Sequence, residues 1–113
     1  MKLHIYQTKR FVKDLADMFK RGRLLNDDFE DLKMELTKNP KAGDVIVGTG
    51  GVRKIRIKSS SGGKSGGLRL CYFYYQMGES IYLLWIYAKN NQEDLTQEQR
   101  KILKELVYEI KKK

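Results

Sequence analysis

The sequence has little of the chemistry on which many small proteins build a metal site or a nucleophile. Among 113 residues there is one cysteine, Cys71, and one histidine, His4. A single cysteine excludes an internal disulfide framework and a thiolate zinc site, and it is typical of a reducing cytoplasm. The surroundings of His4 and Cys71 do not support a Ser–His or Cys–His nucleophile. We therefore expect no metal and no cofactor, with Cys71 buried in a strand and His4 on the surface.

Long apolar runs are also missing. The longest, IYLLWIYA over residues 81–88, has the length of a strand and not of a membrane span. The N-terminal stretch MKLHIYQTKRF lacks the apolar core of a signal peptide. These absences predict a cytoplasmic protein without a membrane partner, and the length predicts one domain over residues 1–113.

Acidic residues are few relative to basic ones. The chain has 23 Lys and Arg against 14 Asp and Glu, which gives a formal net charge of +9. A small domain this basic gains binding energy from a polyanion, because each neutralised phosphate releases counterions. The charge therefore predicts a nucleic-acid partner, whereas solubility alone would need less.

The N-terminal part predicts a short edge strand and two antiparallel helices. The strand covers KLHIYQ, residues 2–7. The first helix is capped by Thr8 and ends at Gly22, and it carries an apolar stripe from Phe11 to Phe19. The second begins at Asn26 or Asp27 and stops before Asn39-Pro40, since the residue before proline is pushed out of the helical region.

The remainder of the chain predicts three antiparallel strands and a final helix. After a short apolar piece at 45–47, strands are expected at Val52–Lys58, Leu68–Met77 and Ile81–Tyr87, with a glycine-rich loop from Ser59 to Gly67 and a tight turn at Gly78-Glu79. Thr96 to Gln99 forms a capping box for the last helix. The predicted fold class is α+β: a small antiparallel sheet packed against two N-terminal helices and one C-terminal helix, with the helices on one face.

The glycines around Lys64 do not form a nucleotide-binding loop. A P-loop needs a glycine five residues before Gly63, where the chain has Lys58, and it needs a helix after the loop, where a strand is expected. The dinucleotide fingerprint that starts at Gly48 fails because Arg53 occupies the third glycine position.

The cationic strand Val52–Lys58 is the strongest functional feature. Alternation places Lys54, Arg56 and Lys58 on one face, with Ile55 and Ile57 on the other and Arg53 at the rim of the isoleucine face. Arg69 opens the next strand and can approach the same face. Like charges on neighbouring strands repel, so they are better explained by a bound polyanion.

Further RNA contacts are expected at the end of the third strand. Lys89 leaves that strand on the side shared by Tyr87 and Trp85. Most of the tyrosines serve the core and the sheet surface. Tyr87 is the one expected to stack on an unpaired base.

Three segments together resemble a known family. They are NPKAGDVIVGTGGVRKIRI (39–57), GGKSGGLRLCYFYY (62–75) and IYLLWIYAKNNQEDLT (81–96). The chain resembles the RelE/HigB superfamily of bacterial type II toxins, and is most similar to a HigB-like branch with "GTGG-hydrophobic-RKIR" and "K-x-GG-x-R" segments. The resemblance implies a RelE-like fold and a ribosome-dependent mRNA interferase that cuts the codon in the decoding site. It also implies a cognate antitoxin, expected to be a helix-turn-helix protein, and operator DNA bound by the toxin–antitoxin complex.

The resemblance also assigns roles to residues. Lys54 and Arg56 match the basic pair of the RelE strand, Arg69 the arginine that opens the next strand, and Lys64 the loop lysine of the HigB-like branch. The expected catalytic residues are therefore Lys54, Arg56, Arg69 and Lys64, and the expected RNA-binding residues are Arg53, Lys58, Tyr87, Lys89 and Asn90.

Two positions depart from the family pattern. Asn90 stands where RelE has an arginine, and Thr96 stands where RelE has a C-terminal tyrosine. Tyr87 and Tyr108 are the two candidates to replace that tyrosine.

The implied reaction needs no metal. The 2′-OH of the mRNA attacks the adjacent phosphate, Arg56 and Arg69 stabilise the developing charge, and Lys54 or Lys64 removes the proton. Lys54 is expected to be crowded by Arg56 and Arg69, which would favour its neutral amine. Two alternatives stay open: a ParE-like gyrase inhibitor, and a non-catalytic module that binds RNA or the ribosome.

Overall fold

The computed structural model describes residues 2–59, 64–89 and 94–113. Within these ranges, three α-helices surround a five-stranded sheet. The elements are β1 (His4–Gln7), α1 (Lys9–Lys20), α2 (Asn26–Lys38), β2 (Asp44–Val45), β3 (Arg53–Arg56), β4 (Leu68–Tyr75), β5 (Ser80–Ala88) and α3 (Gln97–Lys112), with a 3-10 turn at Lys64–Gly67 before β4.

The sheet has the strand order β1-β5-β4-β3-β2. Strands β3, β4 and β5 pair antiparallel, as the sequence predicts, and the two-residue strand β2 adds a further antiparallel pairing to β3. Strand β1 pairs with β5 in parallel, so the sheet is mixed. The α+β class with two N-terminal helices and one C-terminal helix is confirmed, and so is the edge strand near residues 2–7; its parallel pairing corrects the expectation of a purely antiparallel sheet.

The predicted boundaries of α1 and the predicted start of α3 are explained by local capping. Thr8 caps α1, its Oγ1 accepting from the Phe11 amide at 3.1 Å, and Gly22 follows the helix with φ +69°. The capping box of α3 is complete: the Gln99 amide donates to Thr96 Oγ1 at 3.1 Å, and the Thr96 amide donates to Gln99 Oε1 at 3.0 Å. Each of these signals is local, which is why the sequence alone located them.

The core consists of two clusters on opposite faces of the sheet. Leu70 and Tyr72 face α1 and α2, whereas Cys71 and Phe73 face α3. The expectation that all helices pack on one face is therefore wrong. A strand covered on both faces shows a continuous apolar run and not an alternating one, and β4 has such a run from residue 70 to 73.

A β-bulge in β5 changes which side chains share a face. Cys71 pairs with Trp85 and Tyr72 with Leu83, so Leu84 is the extra residue. Leu84 and Trp85 both belong to the cluster that faces α3. Beyond the bulge, Tyr87 therefore lies on the same face as Arg69, its partner in β4.

Tyr72 fixes the segment that leads into β2. Its fully buried hydroxyl donates to the Pro40 carbonyl and accepts from the Gly43 amide, each at 2.8 Å. A Cβ at Gly43 would lie 2.8 Å from the Lys54 carbonyl oxygen, so only glycine fits this approach. The packed turn places Asp44 of β2 directly opposite Lys54 of β3.

Candidate active site on the cationic face

Strands β3, β4 and β5 bring four of the predicted residues onto one face. Arg56 lies directly opposite Arg69, and Arg69 lies directly opposite Tyr87. Lys54 is two residues from Arg56 along β3 and so points to the same side. We call Lys54, Arg56, Arg69 and Tyr87 the cationic face; the face continues under α3 through Cys71, the partner of Lys54.

One backbone carbonyl brings the two arginines together. Gly66 O accepts from Arg56 Nε at 3.1 Å and from Arg69 Nη1 at 3.4 Å, and Arg69 Nη1 also lies 3.2 Å from Leu68 O. A guanidinium carries five N–H groups, so these bonds leave each arginine capacity for a phosphate. The 3-10 turn before β4 thus sets where the two positive charges meet.

Lys54 has a carboxylate beside it and not only cations. Its Nζ lies 3.9 Å from Asp94 Oδ1, and Arg100 Nη2 contacts the other oxygen, Asp94 Oδ2, at 3.0 Å. The pKa of Asp94 is lowered, first by the hydrogen bond from the Leu95 amide at 2.9 Å and then by Arg100 and Lys54. Asp94 is therefore ionised at neutral pH, and Lys54 has a negative charge beside it that the sequence did not predict.

Sequence reasoning missed Asp94 and Arg100. A signal for both was available in the capping box, because Thr96 fixes the start of α3 with Asp94 before it and Arg100 in its first turn. What the pattern could not show is that this helix start lies against the end of the cationic face.

Tyr87 and Cys71 remain protonated at neutral pH. Burial raises the pKa of the half-buried Tyr87 hydroxyl, so it can donate or accept a hydrogen bond but is not a phenolate. Burial also raises the pKa of the Cys71 thiol to about 12, although Lys54 acts in the opposite direction. Cys71 is fully buried under the cationic face and is not a thiolate nucleophile.

Two predicted RNA contacts, Arg53 and Lys58, have partners outside the cationic face. Arg53 Nη1 donates to Gly43 O at 2.7 Å and to Lys41 O at 3.3 Å, which anchors the turn before β2. Lys58 follows the end of β3, and its Nζ lies 3.8 Å from Glu35 Oε2 on α2. Arg53 is therefore committed to the turn before β2, whereas Lys58 lines one pocket with Arg56 and Gly66.

The other predicted positions are placed only in part. Lys89 is exposed immediately after β5. Lys64 begins the 3-10 turn, but its side chain and all of Asn90 lie outside the described residues. Tyr108 is 65% exposed on α3, where the Lys112 ammonium lies 5.7 Å from its ring centroid.

Within the described ranges, no group of three or more His, Cys, Asp or Glu side chains is placed to hold a metal ion. In the same part of the chain, no helix combines the length and apolarity that crossing a membrane requires.

Comparison with known proteins adds a family and a set of similar folds. A family model described as the RelE toxin of the RelE/RelB toxin–antitoxin system matches residues 3–113. Among solved structures, a free double-arginine mutant of the E. coli toxin RelE is 20% identical, with 82% of this chain and 90% of that chain covered and a TM-score of 0.57.

Two further structures are similar. The intact E. coli RelBE toxin–antitoxin complex matches at 20% identity over 77% of this chain and 96% of that chain, with a TM-score of 0.55. A conserved hypothetical protein from Helicobacter pylori, HP0892, matches at 21% identity over 79% of this chain and 97% of that chain, with a TM-score of 0.57. At these identities the structures establish a shared fold, while the HigB-like branch stays a prediction.

Proposed function

The chain belongs to the RelE toxin family of toxin–antitoxin systems, and from this membership we propose that it is a ribosome-dependent endoribonuclease that cuts mRNA in the decoding site. Membership is supported over nearly the whole chain. The reaction itself rests on the family and on the geometry of the cationic face.

One observation carries the proposal: Arg56 and Arg69 are directly opposed on neighbouring strands, with Lys54 and Tyr87 on the same face. Like charges in cross-strand positions destabilise a sheet. Neighbouring strands are about 5 Å apart, so two guanidiniums opposed in this way fit a single phosphate group. A polyanionic substrate therefore accounts for an arrangement that stability does not.

The proposed reaction is metal-free transfer of the phosphate to the neighbouring 2′-oxygen. The 2′-OH loses its proton as its oxygen attacks the adjacent phosphorus, the bond from phosphorus to the 5′ oxygen breaks, and that oxygen gains a proton. The products are a 2′,3′-cyclic phosphate and a free 5′-OH. Arg56 and Arg69 would stabilise the charge on the phosphate, which is an electrostatic task.

The neighbour of Lys54 suggests a role other than removing the proton of the 2′-OH. Because a carboxylate lies 3.9 Å from its Nζ, we assign to Lys54 the role of stabilising the phosphate or giving a proton to the 5′ oxygen. The choice of general base, including Lys64, stays a prediction. Tyr87, opposite Arg69, would hydrogen-bond the phosphate through its hydroxyl or stack its ring on a base.

The partners follow from the family. An antitoxin encoded with this toxin is expected to block the cationic face, and the RelBE complex among the similar structures supports such a partner. The ribosome would orient the mRNA, which offsets the absence of a histidine from the cationic face, since the sole histidine, His4, lies in the edge strand β1. Operator DNA would be bound by the toxin–antitoxin complex.

Primer extension on an mRNA in a purified translation system tests the function. We expect new 5′ ends within codons only when ribosomes and toxin are both present. These ends should accept phosphate from polynucleotide kinase without prior phosphatase treatment, because they carry a 5′-OH. Translation arrest without new ends would indicate a non-catalytic RNA-binding module. Inhibition of gyrase supercoiling without mRNA cleavage would indicate a ParE-like activity.

A further inference from the structure

The ammonium of Lys54 is held in one position only if another residue contacts it. Its side chain is 37% exposed, and its four-carbon stem has several rotatable bonds. Among the described residues, the ion pair that Lys54 makes is with Asp94, with Nζ and Oδ1 3.9 Å apart, whereas Asp44, its cross-strand partner in β2, makes no ion pair with it. The position of the Lys54 ammonium relative to Arg56 and Arg69 therefore depends on the position of Asp94.

Asp94 is itself held from two sides. The Leu95 amide donates to Oδ1 at 2.9 Å, and Arg100 Nη2 contacts Oδ2 at 3.0 Å. Arg100 in turn donates through Nε to Leu95 O at 3.3 Å and through Nη1 to Val47 O at 3.1 Å. One guanidinium therefore joins Asp94, the start of α3 and the loop between β2 and β3.

We propose that Asp94, held in place by Arg100, is a positioning residue for Lys54 in the proposed mRNA cleavage. The inference rests on that function and adds two residues to it. A carboxylate on a face that binds a polyanion repels the substrate, so binding alone would favour a neutral residue at this position. The Asp94 carboxylate instead directs the ammonium of Lys54 toward the phosphate held by Arg56 and Arg69.

This role makes a specific kinetic prediction for Asp94→Asn. The single-turnover cleavage rate at saturating toxin falls about fivefold, the upper range for an exposed ion pair. The toxin concentration giving half-maximal rate does not rise, because a negative charge has been removed. A purely structural role would instead weaken substrate binding, so the toxin concentration giving half-maximal rate would rise as the rate falls.

Three further variants complete the test. Asp94→Glu keeps the charge and should recover most of the rate. Arg100→Lys cannot contact its three partners at once and should resemble Asp94→Asn. The double variant should be no slower than either single one, because both substitutions act through the position of Lys54. Asp17→Asn on α1 removes the same charge from an exposed pair with Arg21 and should cut like wild type.

The outcomes separate the inference from the function on which it rests. If wild type cuts mRNA and Asp94→Asn cuts equally fast, only the positioning role is overturned. Multiplicative losses in the double variant would overturn it as well, because the two residues would then act independently. If wild type produces no cleavage on ribosomes, the proposed function fails and the positioning role fails with it.

Discussion

Replacing Arg69 by alanine separates the contribution of the cationic face to catalysis from its contribution to folding. The hydrogen bonds that Arg69 makes to Gly66 O and Leu68 O are long, at 3.4 and 3.2 Å, and the side chain is only half-buried. The substitution also removes one of two like charges that face each other across β3 and β4. Loss of weak bonds and relief of repulsion oppose each other in the free energy of unfolding.

The expected magnitudes differ widely. The free energy of unfolding should change by less than about 1 kcal/mol, the usual net value of one hydrogen bond. The cleavage rate should fall by about 10²- to 10³-fold, equivalent to about 3–4 kcal/mol of transition-state stabilisation, as when one donor to a developing oxyanion is removed. The catalytic effect should thus exceed the effect on stability severalfold.

Two measurements on one protein preparation check this prediction. Single-turnover cleavage of an mRNA on stalled ribosomes gives the rate, and urea unfolding gives the stability. The matched control is Arg21→Ala, which removes the same charge from an exposed pair with Asp17 on α1 and should change neither quantity appreciably. An Arg69→Ala variant that cuts as fast as wild type would refute the assignment of Arg69 to the phosphate.

Three further predictions follow from buried or paired groups. Tyr72→Phe should lower the free energy of unfolding by about 2 kcal/mol, because a buried Gly43 amide and the Pro40 carbonyl lose their partner; an unchanged urea midpoint would contradict it. With a pKa of about 12, Cys71 should resist a thiol-specific disulfide reagent at pH 8 until the chain is unfolded; rapid labelling of the folded protein would count against its burial. Because the pKa of Asp94 is lowered from 3.8 in the folded state, its stabilising contribution is present above pH 4 and lost as the pH falls through the folded value. The melting temperatures of wild type and Asp94→Asn should therefore differ near pH 6 and converge in strong acid.

The elements themselves were predictable where the deciding signal is local. Thr8, Gly22 and the capping box at Thr96 mark helix ends through contacts within a few residues, and all three lie where the sequence predicts. The alternation of Lys54 and Arg56 with Ile55 likewise identified one face of β3 without knowledge of its neighbours.

The composition of the site depended on longer-range contacts. The sequence could suggest that Arg69 approaches Arg56, but the register that makes them direct partners is set by pairing of β3 with β4. The bulge at Leu84 brings Tyr87 onto that face, and simple alternation through β5 would not have shown this. Arg53 was predicted to contact RNA, but tertiary contacts use its guanidinium to bind backbone carbonyls before β2.

By itself the sequence determined the basic charge, the helix ends and the cationic strand, because each depends on residue type and short spacing. Only the tertiary structure decided that helices cover both faces of the sheet and that Asp94 and Arg100 of the α3 start lie beside Lys54. Asp94 is 40 residues further along the chain than Lys54. No local pattern encodes a contact over that separation; packing of α3 against the sheet does.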